Sequence, residues 1–235
     1  MPDHIGIVAC SAEGAALCYR TICTEGAAIL GPHDHPEISM HTYSLAGYMR
    51  FIRLRDWQRV AELMLSSAGK LAKTGADFLI CPDNTIHNAL PYAEPVSPLP
   101  WLHIADAVAE HAVDRRFHRL GLTGTLYLVE SDVYPAKLAT RGLTYVRPSD
   151  SERTEIDRII MDELVYGIFR PDSVAYFQQV ITRFQQEGCD AVILGCTEIP
   201  LLMNDSNSPL PTLDSTRLLA RQALQHAMQS AGVPA

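Results

Sequence analysis

Apolar side chains at Trp57, Val60, Ala61, Met64, Leu65, Ala68, Leu71 and Ala72 recur at intervals of three and four. This spacing predicts an amphipathic helix that turns one stripe toward a core and ends at Gly75. An unbroken apolar run follows, Phe78-Leu79-Ile80-Cys81, as expected of a strand covered on both faces. The alternation recurs along the chain. Residues 5–9, 38–43, 120–123 and 191–194 read as strands, and residues 104–113, 151–168 and 173–186 as helices. A last helix runs from about Ser215 to Met228, with Asp214 or Ser215 as its cap. The Pro-rich stretch from Pro91 to Trp101 reads as a loop. Strands alternating with helices predict the α/β class, with mainly parallel sheets sandwiched between helices in three layers.

The pattern also repeats. Gly75-Ala76-Asp77-Phe78-Leu79-Ile80-Cys81-Pro82-Asp83-Asn84 matches Gly188-Cys189-Asp190-Ala191-Val192-Ile193-Leu194-Gly195-Cys196-Thr197 at a constant offset of 113. The openings correspond too, Ile5-Gly6-Ile7 against Leu120-Gly121-Leu122 at 115. Two related α/β domains about a pseudo-twofold axis are therefore expected, residues 1–102 with roughly 210–235 in one and 103–209 in the other. Ligands of open parallel sheets collect beyond the carboxyl ends of the strands. The repeat sets Asp83 over Cys196 and Asn84 over Thr197, so the expected active site is a cleft between the domains with a carboxylate and a thiol on opposite sides.

Composition narrows the function. The 235 residues are 47% apolar, with 27 acidic against 19 basic side chains and a net charge of −8. Such a surface attracts neither phosphate backbones nor anionic lipid, so no nucleic-acid or membrane partner is expected. The N-terminal apolar stretch is too short for a signal core or a spanning helix, which points to the cytoplasm. Six thinly spread cysteines without a C-x-x-C suit reduced thiols. His33 and His35 lack partners at zinc-site spacing, and no metal is expected.

A proton-transfer group on each face of one carbon is what stereoinversion requires: one side chain removes the proton and the other returns it from the far side. Backbone N–H groups at strand-to-helix turns stabilise the enolate charge that develops between the two events. Asn84, Thr85 and Thr197 then suit a substrate carboxylate. Each residue has a plainer reading as well. Asp83 in Pro82-Asp83-Asn84 is good turn chemistry, and a cysteine after an apolar strand is usually packing.

Asp83-Asn84-Thr85-Ile86-His87 resembles the Cys-Asn-Thr-x-His motif of the aspartate/glutamate racemase superfamily, and Gly195-Cys196-Thr197-Glu198 resembles its second motif. Ile5-Gly6-Ile7 with Ser11 and Glu13, His103-Ile104-Ala105-Asp106-Ala107, Gly124-Thr125 and the segment from Glu152 to Leu164 extend the resemblance over most of the chain. It is closest to the broad-specificity and acidic amino-acid branch. The resemblance implies racemisation by opposed acid/base groups without a cofactor, on a small carboxylate substrate, in a homodimer. It makes Asp83 and Cys196 the catalytic pair, and Ser11, Arg53, Asn84, Thr85, Thr125, Thr197 and Glu198 the binding residues. Arg53 is chosen from the run Arg50, Arg53 and Arg55 for an acidic substrate's second carboxylate, a run that otherwise reads as a solvated face.

The family has cysteine where this chain has Asp83. Asp titrates ordinarily near 3.9 and Cys near 8.5, so at neutrality a carboxylate faces a thiol and base and acid are already assigned. A carboxylate is a weak base for an α-proton. Either Asp83 is desolvated and more basic than usual, or the substrate proton is unusually acidic, as in hydantoins and aryl-substituted acids. Cys81, two residues before Asp83, is a further candidate thiol. Two other functions stay open: a decarboxylase or isomerase using Cys196 alone, and a binding protein that has lost the chemistry.

Overall fold

Two parallel four-stranded sheets organise the computed structural model, which describes residues 1–229; residues 230–235, assigned above to the first domain, lie outside the described residues. The chain forms two compact units, one of residues 1–107 together with those from Thr216 on, the other of Val108–Ser215.

In the first unit β1 (Ile5–Ala9) leads into α1 (Ala12–Leu30), followed by β2 (Ile38–Thr42), α2 (Leu45–Ile52) and α3 (Trp57–Lys73). Then come β3 (Phe78–Ile80), a 3₁₀ turn at Thr85–Ala89, α4 (Leu90–Ala93), a second 3₁₀ turn at Glu94–Val96, β4 (Trp101–Leu102) and α5 (Ile104–Asp114), whose residues from Val108 on belong to the second unit. The sheet order is β2-β1-β3-β4, every pair parallel. Helix α3 keeps the predicted stripe: Val60, Ala61, Met64, Ala68 and Leu71 are buried, and the Asp56 carboxylate caps its start by accepting the Arg59 N–H.

The second unit runs β5 (Arg119–Thr123), α6 (Leu126–Val129), α7 (Val133–Ala139), β6 (Thr144–Val146), α8 (Asp150–Asp162) and a 3₁₀ turn at Leu164–Tyr166. It continues through α9 (Pro171–Gln186), β7 (Ala191–Leu194), a 3₁₀ turn at Ile199–Leu201 and β8 (Thr212–Asp214), and α10 (Ser215–Gln229) follows. Its sheet order, β6-β5-β7-β8, again all parallel, has the same topology as the first. Ile156, Ile159 and Ile160 of α8 join Phe177, Val180, Ile181 and Phe184 of α9 and Val192 and Leu194 of β7 in one core cluster.

The repeat has a structural basis beyond the apolar run. Gly75 and Gly188 both take positive φ, +90° and +83°, the left-handed turn that lets a helix end and the chain reverse into a strand. Two residues on, the carboxylate accepts a backbone N–H at the mouth of the neighbouring strand: Asp77 from His4 at 2.7 Å, Asp190 from His118 at 2.7 Å and Arg119 at 3.2 Å.

Several elements differ from expectation. The stretch 91–101 is not all loop, since α4, a 3₁₀ turn and the start of β4 lie in it. The helix expected over 151–168 stops at Asp162, where the chain tightens into a 3₁₀ turn that ends on Gly167 in the left-handed region. Strand β3 ends at Ile80 rather than Cys81.

Candidate active site

The first half-site begins where β3 runs out. Cys81 follows the strand and is fully buried; Asp83, half-buried, opens the 3₁₀ turn with its Oδ1 accepting the Ile86 N–H at 3.1 Å. Asn84 and Thr85 are buried beside it, and the Thr85 carbonyl takes a bond from Asn88 Nδ2 at 2.8 Å. His87 closes the turn. Its Nε2 lies 3.2 Å from the Ile104 N–H, which can only donate, so Nε2 accepts and Nδ1 carries the proton, donated to the Asp83 carbonyl at 2.7 Å. The imidazole is thus neutral and ties the backbone of Asp83 to the start of α5. Burial, and after it the charge of Asp83, pushes the Cys81 thiol well above the ordinary cysteine range. A thiol so placed is held in its protonated form.

The second half-site begins where β7 runs out. Gly195 sits so close to β5 that a Cβ there would lie 2.5 Å from the Thr123 carbonyl oxygen. Its N–H bonds that same oxygen at 3.0 Å. Cys196 comes next, and its carbonyl accepts the Ile199 N–H at 3.2 Å. Ile199 stands 113 residues after Ile86, so in both halves the corresponding isoleucine N–H closes the turn, onto the Asp83 side chain in one and the Cys196 backbone in the other. The Cys196 thiol donates to Glu198 Oε2 at 3.0 Å, and the Thr197 hydroxyl donates to the same oxygen at 2.6 Å. All three side chains are buried. A thiol already bonded to a carboxylate has a base in place to take its proton as a thiolate forms.

Of the other binding candidates, Ser11 and Thr125 are helix caps. Ser11 Oγ accepts the Gly14 N–H at 3.3 Å to start α1, and Thr125 Oγ1 accepts the Leu128 N–H at 3.3 Å to start α6. Each directly follows a sheet strand's carboxyl end by two residues, and both are buried. Asp157 of α8 adds a bond to the Leu126 N–H at 2.8 Å. Burial raises the Asp157 carboxyl above its usual range despite that bond. Arg53 is exposed at the end of α2, and Arg50 lies over the Phe51 ring at 5.6 Å. Sequence reading missed two features. The bond from Glu198 to the thiol has no spacing signature, and Tyr48, fully buried on α2, was hidden inside the basic run. Among the described residues no group of three His, Cys, Asp or Glu side chains is arranged to hold a metal ion, and no helix is long and apolar enough to cross a membrane.

Fold and half-sites together describe an α/β protein built twice over, with an acid/base side chain at the same turn of each copy. The profile of the Asp/Glu/hydantoin racemase family matches residues 7–223. The broad-specificity amino-acid racemase RacX of Bacillus subtilis is 22% identical over 194 residues, spanning 81% of this chain and 82% of that one. A Yersinia pestis protein proposed to be an Asp/Glu racemase has a crystal structure that superposes with a TM-score of 0.89 at 31% identity, covering 97% of this chain and all of that one. An aspartate racemase homologue from Pyrococcus horikoshii superposes with a TM-score of 0.83 at 25% identity, covering 97% and 99%. The chain belongs to the Asp/Glu/hydantoin racemase family. It is an isomerase, and its activity is the racemisation of an amino acid.

Proposed function

We propose that Asp83 and Cys196 are the two acid/base groups of this racemase and that they work on opposite faces of the substrate's α-carbon. The observation that carries the proposal is the matched pair of turns, in which the only proton-transfer side chains at corresponding positions are a carboxylate and a thiol. In one direction Asp83 takes the α-proton while the Cys196 thiol delivers its own to the other face. The enzyme is left with a carboxylic acid and a thiolate, which serve the reverse direction. Asn84, Thr85, Thr125 and Thr197 bind the α-carboxylate, Ser11 completes that shell, and Arg53 meets the second carboxylate of aspartate, glutamate or a related acid. Glu198 belongs to the same site through the thiol it holds, which makes its role proton traffic at Cys196 as much as substrate binding. The chemistry uses side chains alone, with no cofactor. A cytoplasmic homodimer completes the reading, supported by six cysteines that are all thiols and by the family resemblance.

The test is incubation of the protein in D₂O with the separate enantiomers of aspartate and glutamate. Loss of optical rotation with deuterium entering at Cα is expected, and Asp83→Asn and Cys196→Ala should each abolish racemisation. Full activity in Asp83→Asn removes Asp83 as the base. Release of CO₂ from a malonate-type acid identifies a decarboxylase, and tight binding without exchange a ligand-binding protein. Sedimentation of the full chain decides the dimer.

A further inference from the structure

Tyr48 stands on the inward face of α2, one turn before Ile52, and both side chains are buried. Its hydroxyl is inaccessible and has no hydrogen-bond partner, an unfavourable state for a buried polar group. The groups around it are specific. Cys10 directly follows β1, Cys81 directly follows β3, Asp83 opens the 3₁₀ turn, and Ser67 faces it from α3. Burial above all, with neighbouring Cys81, Cys10 and more weakly Asp83 acting in the same direction, holds the phenol protonated far above the ordinary tyrosine range, with only Ser67 acting the other way. The phenol is therefore a permanent donor.

Ser67 is tied in turn to the surface. Lys70 Nζ lies 2.9 Å from His41 Nε2, and an ammonium only donates, so His41 Nδ1 carries the proton and gives it to Ser67 Oγ at 2.9 Å. The proton on Ser67 is left to point away from His41. Burial and the Lys70 charge both keep His41 neutral, below the usual histidine range. Among the neighbours of the phenol, two thiols are weak acceptors and one carboxylate is a strong one.

We propose that Tyr48 is a positioning residue for Asp83: its hydroxyl donates a hydrogen bond to the Asp83 carboxylate, with Ser67 behind it, in the state that takes the substrate proton. The proposal rests on Asp83 being the base, and it assigns the first half-site a hydroxyl donor to match the Thr197 and Glu198 arrangement at Cys196. A donor to the charged form fixes which carboxylate oxygen faces the substrate and holds the ionised state at working pH.

The test is the titration of the Asp83 carboxyl by ¹³C NMR in the full chain, its signal identified by its absence in Asp83→Asn, alongside the pH profile of kcat/KM. Tyr48→Phe keeps the ring that fills the core and removes only the donor. The carboxyl midpoint should rise by about one pH unit, and the acid limb of the profile should move with it. Ser67→Ala should move both in the same direction by less, and serves alone where Tyr48→Phe does not fold. A midpoint unmoved in a folded variant overturns the proposal. The NMR midpoint does not depend on turnover, so in a protein that fails to racemise but shows the shift, the reading of Asp83 as the base fails while the Tyr48–Asp83 hydrogen bond stands.

Discussion

The Cys196 thiol and the Glu198 carboxylate are joined by a 3.0 Å hydrogen bond across a single intervening residue, and Thr197, the residue between them, donates to the same oxygen. Two adjacent side chains thus share one acceptor on the third, and all three are buried in the second unit. Two donors on one carboxylate oxygen favour its charged form. The bond to Glu198 also helps orient the sulfur.

Glu198→Gln tests whether proton transfer or orientation matters more. The amide can still accept a bond from the thiol but cannot take its proton. If Glu198 carries proton traffic, kcat falls by about 10²–10⁴, the range general acid/base groups contribute, with a much smaller change in KM. Steady-state kinetics in both directions decide it, and an unchanged kcat leaves Glu198 an orienting group only.

His87 makes a different kind of prediction. Its ring bridges the Asp83 carbonyl and the Ile104 N–H, and it stacks edge-on against His103 at 4.7 Å. His87→Ala strands a buried donor and a part-buried acceptor at once. Each stranded group costs about 1–3 kcal/mol, so a loss of about 2–6 kcal/mol is expected in urea denaturation, with kcat reduced because Asp83 loses this tether. A loss under about 0.5 kcal/mol means that water replaces the ring without penalty.

Much of this was legible in the sequence, and the parts that were not share a cause. The α3 stripe and the apolar runs of β3 and β7 announce themselves because burial imposes their periods. The repeat was visible because Gly75 and Asp77 answer backbone requirements that Gly188 and Asp190 answer again. Helix α1 left no such trace. Its buried face mixes Leu17 and Ile22 with Gly14, Ala15, Cys18, Thr21 and Gly26, small or polar residues that dilute an apolar stripe. In the site, Asp83, Cys196 and their neighbours could be named from motif and repeat. The partner of each could not, because His87 meets Ile104 across 17 residues and Tyr48 reaches the end of β3 only through the packing of α2.

Acid should weaken the second unit through Glu163. This carboxylate is buried where α8 ends, and the Ser173 hydroxyl donates to it at 2.5 Å, with Arg158 at 3.0 Å. The Ser173 bond, helped by Arg158 and opposed by burial, holds its carboxyl below the usual glutamate range. A value lowered on folding contributes stability that is complete above the unfolded value, about 4.3, and is lost as pH falls through the folded one. Urea denaturation at pH 7 and pH 3.5 should therefore show a larger acid-induced loss in the wild type than in Glu163→Gln. Equal losses assign the acid sensitivity to other groups.

Gly195 gives the sharpest test of how the second half-site is held. Strands β5 and β7 pass so closely there that an added methyl would meet the Thr123 carbonyl oxygen at 2.5 Å and Leu128 Cδ2 at 2.7 Å. The leucine can turn aside, but the carbonyl belongs to the sheet, so Gly195→Ala must push the chain outward just before Cys196. Overpacking of this kind costs about 1–3 kcal/mol. A thiol displaced by about 1 Å loses about 10²-fold in rate, because the reacting atoms no longer align. Gly69, on α3 with nothing within 4 Å of the site of its missing Cβ, is the control. Gly69→Ala should stabilise by about 0.4–1 kcal/mol and leave kcat alone. Melting and turnover measured on both variants separate the two cases: Gly195→Ala loses rate even where the protein is fully folded, and a Gly195→Ala enzyme of wild-type kcat shows that the sheet can yield without moving the sulfur.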